Sequence, residues 1–157
     1  MPYPQHGISL GYAFGNAKEI KSSSLRIINE ELTRTHGELE DSSLITWAQQ
    51  GILLLNSSLT VETGKISSHY KIWEQFMIDL VKTLSKQDYI WVLMGSRAQS
   101  FQFCINKGSV IKVKHPASDV YNDGKGFRGS NVFIRIDEEL EKRGLDIKWT
   151  SKIKELV

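Results

Sequence analysis

Three short apolar runs constrain what this chain can fold into more than any other feature: Gly51-Ile52-Leu53-Leu54-Leu55-Asn56, Tyr89-Ile90-Trp91-Val92-Leu93-Met94, and Ser109 to Lys114. Each is too short for a typical helix and reads as a buried strand. Between them lie segments with helical periodicity. Strands alternating with helices argue for a parallel α/β sheet rather than an all-β or bundle fold. Two of the runs deliver a polar side chain at their carboxyl ends, Asn56 and His115. In an open parallel sheet those ends frame the crevice where ligands bind. An Asn and a His converging there can read a small flat ligand that carries both donors and acceptors.

The helical segments are legible from caps and spacing. The first fifteen residues, with Pro2, Pro4, Gly7, Gly11 and Gly15, read as an irregular loop. Ser22-Ser23-Ser24 offers an N-cap for a helix to about Thr33, with Leu25, Ile27, Ile28 and Leu32 on its apolar face. A short helix is expected over 41–50, ending at Gly51. The spacing predicts a longer one over 70–84, with Ile72, Trp73, Phe76, Leu80 and Leu84 inward. Further helices are expected over 98–107 and 130–143, the second after a Gly-rich loop that begins at His115. No internal repeat or low-complexity segment interrupts this pattern.

A chain of 157 residues fits a single domain over 1–157 and can bury a real core. With 40% hydrophobic and 24% charged residues, disorder is not expected. The net charge of +2 does not by itself point to nucleic acid, but its distribution is uneven. Arg97, Lys107, Lys112, Lys114, Lys125 and Arg128 face only Asp119 and Asp123 in that stretch, a basic patch able to meet phosphates. Glu30, Glu31, Glu38, Glu40 and Asp41 form an acidic counterpart around Arg34. Cys104 is the single cysteine, which excludes an intrachain disulfide and suits a reducing, intracellular compartment, cytoplasm or nucleus. No apolar run approaches the ~18 residues of a membrane span, so a soluble protein is expected. His6, His36 and His69 show no metal-ligand spacing with one another or with Cys104, so neither metal nor other cofactor is expected.

Several segments carry a more specific signal. Trp47-Ala48-Gln49-Gln50-Gly51-Ile52-Leu53-Leu54-Leu55-Asn56, followed by Leu59-Thr60-Val61, resembles the W-A-x-Q-G-V-L-L-L-N-x-x-L-T-V signature of the uracil-DNA glycosylases. Ser68-His69 with Trp73-Glu74-Gln75-Phe76 is similar to that family's S-H…W-E-x-F helix start. Gly95-Ser96 and Ala98-Gln99 resemble its G-S-x-A-Q. His115-Pro116, Gly126-Phe127, Gly129-Ser130 and Phe133 resemble its H-P…G-F-x-G-[CS]-x-x-F ending. Order and spacing agree from Pro2 to about Trp149.

The resemblance implies a three-layer α/β/α fold with a short parallel sheet. It also implies an enzyme of base-excision repair that flips uracil out of DNA and hydrolyses its N-glycosidic bond. Asn56 would pair with uracil N3–H and O4, whose donor and acceptor order cytosine reverses. Phe14 would stack on the base, and Tyr3 would stand against C5 and exclude thymine. His115 would bond uracil O2 and stabilise the charge on the departing base. Ser24, Gly95, Ser96 and Ser118 would contact the DNA backbone, although Ser22-Ser23-Ser24-Leu25 lacks the prolines that the family carries there. The loop after His115 is about two residues longer than the family's H-P-S-P-L-S. Direct alignment puts Asp119, a poor plug, where a leucine wedge belongs, so Val120 or Tyr121 is expected to fill the gap left by the flipped base.

One part of the family pattern is missing. Its G-Q-D-P-Y motif aligns with Met1-Pro2-Tyr3-Pro4 so that Met1 stands where the water-activating Asp belongs. In the fold the resemblance implies, the strand before that motif is central, between residues 51–56 and 89–94, and this chain lacks it. Three accounts follow: a fragment of a longer glycosylase, one half of a split protein whose partner chain supplies the strand, or a degenerate relative. The chain alone is expected to have little or no glycosylase activity. The alternative is a non-catalytic DNA-binding or replication-accessory protein on the same scaffold, with an inhibitor or replication protein as a candidate partner; a blander one is a plain α/β interaction module.

Overall fold

The computed structural model describes residues 13–15, 22–124 and 126–151. Strand β1 (Ile90–Met94) and strand β2 (Ser109–Val113) pair in parallel, with Ile90 opposite Ser109 and Met94 opposite Val113. This register brings both carboxyl ends out at the same place. Around the pair lie α1 (Ser23–Thr35), α2 (Ile45–Gln49), α3 (Tyr70–Leu84), α4 (Gly95–Gln99) and α5 (Val132–Glu141). Among the described residues there are also two 3₁₀ turns, Gln102–Cys104 and Pro116–Val120. This is the α/β arrangement with a short parallel sheet that the sequence implies.

Helix α1 forms as its pattern predicts. Ser22 caps it by accepting a hydrogen bond from the Leu25 N–H at 3.2 Å, and Leu25, Ile27, Ile28 and Leu32 are buried. These side chains join Ile111, Val113, Val132, Phe133, Ile136 and Leu140 in the main core, against which Ile90, Val92 and Met94 pack. Leu93 alternates to the opposite face of β1, and Met77, Val81, Phe101 and Cys104 are buried outside the main cluster. Trp47, Phe133 and Trp149 meet edge to face, with centroids 5.0–5.9 Å apart. The Trp47 indole N–H donates to the Trp149 carbonyl at 2.8 Å and ties the tail to α2.

Several expectations are corrected. Residues 51–56 do not form a strand: both described strands lie elsewhere and pair with each other. Leu53 is 64% exposed, while Ile52 and Leu54 pack on the core. An apolar run becomes a strand only where another backbone supplies a ladder. Among the described residues a distant segment supplies one bond to this run, from the Ala13 N–H to the Leu54 carbonyl at 3.2 Å, and one bond is not a ladder. The α3 face is also rotated from its expected orientation. Met77 and Val81 are its buried residues, whereas Ile72 (69% exposed) and Phe76 are open and Trp73, Leu80 and Leu84 are half-buried. The helix expected over 98–107 instead starts at Gly95, directly at the strand end, and stops at Gln99 before a 3₁₀ turn. Helix α2 is shorter than the 41–50 expectation, and α5 lacks the outermost residues of 130–143.

Candidate functional site

Because β1 and β2 end in register, the residues that follow them are neighbours. Gly95 adopts φ +87, and a Cβ added there would lie 2.8 Å from the His115 Cβ. Only glycine accommodates both this backbone conformation and so close an approach. Gln99 secures the junction: its side-chain amide donates to the Val113 carbonyl at 3.0 Å and, more weakly, to the Leu93 carbonyl at 3.5 Å. The ends of the two strands are thus held by one side chain from α4. Ser96 is exposed beside this junction.

His115 caps the 3₁₀ turn that follows β2. Its Nδ1 accepts a hydrogen bond from the Ala117 N–H at 3.1 Å. A nitrogen that accepts carries no proton, so the neutral ring bears its proton on Nε2. His115 keeps a solvent-exposed edge, yet the protein packed around the ring lowers its pKa below the usual value near 6.5 by desolvating the charged form. The site therefore presents a neutral imidazole with one N–H available to a ligand oxygen. Phe14 lies beside it, ring centroids 5.7 Å apart and tilted by 52°. Phe14 is held at φ 67, a conformation that is costly for a bulky residue.

Asn56 is linked to the Phe14–His115 pair only through its neighbours in the chain. Leu54, two residues before it, accepts from the Ala13 N–H, and Ala13 adjoins Phe14. The Asn56 side chain is exposed and has no hydrogen-bond partner among the described residues. Phe14, Gly95 and His115 are brought into direct proximity. Tyr3 and Met1 lie outside the described residues. Ser24 sits in the first turn of α1, while Ser118 donates its hydroxyl to the His115 carbonyl at 2.7 Å and so stiffens the turn. Val120 and Tyr121 are 52% and 86% exposed at its tip.

Asp119 does not stand in the wedge position. It is 2% exposed and accepts hydrogen bonds from the Phe127 and Arg128 N–H groups. The basic stretch is also less free than its sequence suggests. Arg97 lies over the Tyr70 and Phe101 rings and bonds Glu74 at 3.2 Å, and Arg128 bonds Glu30 at 2.5 Å. Lys107, Lys112 and Lys114 remain exposed. Among the described residues, no group of three or more His, Cys, Asp or Glu is arranged to hold a metal. No described helix is long and apolar enough to cross a membrane.

Two features escaped the reading of the sequence. The Gln99 bridge carries no signal beyond its place in a motif. Glu31 does carry one: it is an acid set within the apolar face of α1, beside Ile27, Ile28 and Leu32, and it is 1% exposed.

No family model matches the chain, but individual proteins do. It is 34% identical to a uracil-DNA glycosylase of Mycoplasmopsis pulmonis, over 94% of this chain and 70% of that protein. It is 37% identical to one of Aliarcobacter butzleri, over 88% of this chain and 69% of that protein. Among solved structures, mimivirus UNG in complex with UGI superimposes with a TM-score of 0.78 at 23% identity, covering 90% of this chain. This chain spans 60% of that neighbour's length. The extent and identity of these matches establish that the chain belongs to the uracil-DNA glycosylase family.

Proposed function

We propose that this chain, as one glycosylase-like domain over 1–157, recognises uracil flipped out of DNA, the recognition step of base-excision repair. The observation that carries the reading is the neutral His115 ring, its Nδ1 occupied by the Ala117 N–H, set beside Phe14 at the carboxyl ends of the strands. Phe14 stacks on the base. The Asn56 amide, which has no hydrogen-bond partner among the described residues, accepts from uracil N3–H and donates to O4, a pattern that cytosine reverses. Tyr3 stands against C5, where the thymine methyl would collide. His115 donates Nε2–H to uracil O2. As the glycosidic bond lengthens, negative charge collects on that oxygen, and a fixed neutral donor favours it without first losing a proton.

Ser24, Gly95 and Ser96 hold the phosphates, Ser118 keeps its hydroxyl on the His115 carbonyl, and Val120 and Tyr121 occupy the space that the base vacates. Lys107, Lys112 and Lys114 add a salt-sensitive attraction. Met1 stands at the position that the resemblance gives to the water-activating Asp, and a thioether neither accepts a proton nor stabilises a cationic sugar. We infer that the chain by itself binds uracil-containing DNA far better than it cleaves it. The neighbour's complex with UGI makes a protein partner plausible for this fold.

The test compares duplexes that carry uracil, thymine or an abasic site. The proposal expects tighter binding to uracil and abasic DNA than to thymine DNA, with uracil binding weakened about tenfold or more by Asn56→Ala or His115→Ala as the hydrogen bonds to the base are lost. Equal binding to all three duplexes, untouched by either substitution, would instead favour the plain interaction module.

A further inference from the structure

Two buried carboxylates lie away from the Phe14–His115 pair, and both are committed to a single loop. The Asp119 side chain accepts from the Phe127 N–H at 2.9 and 3.1 Å, one contact to each oxygen, and from the Arg128 N–H at 2.8 Å. Gly126 makes room for it: at φ +150, a Cβ there would lie 2.8 Å from Asp119 Oδ1 and 2.7 Å from Lys114 Cδ. Glu31, on α1, accepts from the Gly129 N–H at 2.7 Å and the Asn131 N–H at 2.9 Å, and Arg34 bonds both of its oxygens. Burial pushes the Glu31 pKa up, but Arg34 and these two amides outweigh it and hold the carboxyl below its usual range. Arg128 reaches back to Glu30 on the same helix.

Residues 126–131 are therefore tied on one side to the turn after His115 and on the other to α1. That turn carries the exposed Val120 and Tyr121, and α1 begins at Ser22–Ser24. Burying carboxylates is costly, and removing their partners more so. Here that cost fixes the relative placement of two surface elements that have no sheet ladder between them. We propose that Asp119 and Glu31 are positioning residues, which hold the Val120–Tyr121 tip in register with the α1 N-terminus so that both engage one DNA duplex together. The proposal rests on the uracil-DNA reading above. It also explains the acid that aligns with the wedge, since Asp119 anchors the tip from within and the next two residues project.

The test is a double-mutant cycle read by the anisotropy of a labelled duplex with an abasic site. Asp119→Asn is measured alone and in a Val120→Ala/Tyr121→Ala background, with melting temperature followed in each protein. Asp119→Asn is expected to weaken binding about tenfold, as for loss of charge-assisted hydrogen bonds. It should cause no further loss once the tip is truncated. A purely structural role would lower the melting temperature in both backgrounds and leave no coupling in binding; equal losses in both backgrounds, or none in either, overturn the proposal. Should Asp119→Asn fail to fold, Glu31→Gln enters the same cycle with the same expectation. If the unmodified chain does not bind the duplex, the DNA reading itself falls and takes this role with it. Binding without coupling overturns the positioning role alone.

Discussion

Gly95 and His115 cannot be altered independently, because the Cβ missing from the first would occupy the space of the second. Gly95→Ala is expected to destabilise the protein by about 1–3 kcal/mol through its positive φ and the close contact, and to displace the imidazole. Denaturant unfolding and uracil-DNA binding would both register the change. The lowered pKa of His115 also has a sign that can be checked. A folded-state value below the ordinary one near 6.5 means that the unfolded chain binds the proton more readily. Its contribution to stability is thus present above pH 6.5 and lost as pH falls from there through the folded value. The loss of melting temperature between about pH 7.5 and about pH 5.5 is expected to be smaller in His115→Ala than in the unmodified chain. An equal loss would contradict the assignment. At this scale the sequence exposed the residue types and not their bonds. His115 was legible from its place after an apolar run, whereas the Ala117 N–H that fixes its tautomer depends on the 3₁₀ turn.

At the scale of elements, α1, β1 and β2 were legible because their patterns are satisfied by partners within the chain. Ser22 caps, Leu25 and Leu32 bury, and β1 finds β2. Residues 51–56 and the outer face of α3 were misread for one physical reason. Periodicity reports what a segment can bury, and burial needs something to lie against. Leu53, Ile72 and Phe76 carry the pattern and remain exposed. The energetic consequence separates neighbours on the same helix. Met77→Ala is expected to cost about 2–4 kcal/mol, as for large-to-small changes in a core, while Ile72→Ser stays within about 0.5 kcal/mol. Thermal or urea unfolding of the two variants would measure the contrast, and comparable losses would place Ile72 in the core after all.

At the scale of the whole molecule, the chain brings Phe14 and His115 together at the strand ends, and the proposed function makes this pair, with Asn56, one side of a uracil site. The exposed Val120–Tyr121 tip follows the turn that His115 caps. Family membership rests on matches that cover about 70% of the bacterial relatives. The motifs around Asn56 and His115 made it legible early, because they combine residue type, order and spacing over most of the chain. The basic stretch was a poorer guide, since Arg97 and Arg128 turn to Glu74 and Glu30 and leave the lysines to face solvent. Binding that weakens with salt is therefore expected, with a shallow slope set by the lysines. A titration over a range of salt concentrations would measure that slope. On the proposed function, this chain recognises uracil in DNA but does not efficiently hydrolyse it. The most direct measurement incubates the purified chain with a labelled uracil-containing duplex and follows both retention of the duplex and release of free base. Uracil-dependent retention, lost in Asn56→Ala, is expected with little or no base released; efficient release, or retention indifferent to uracil, would overturn the proposed function.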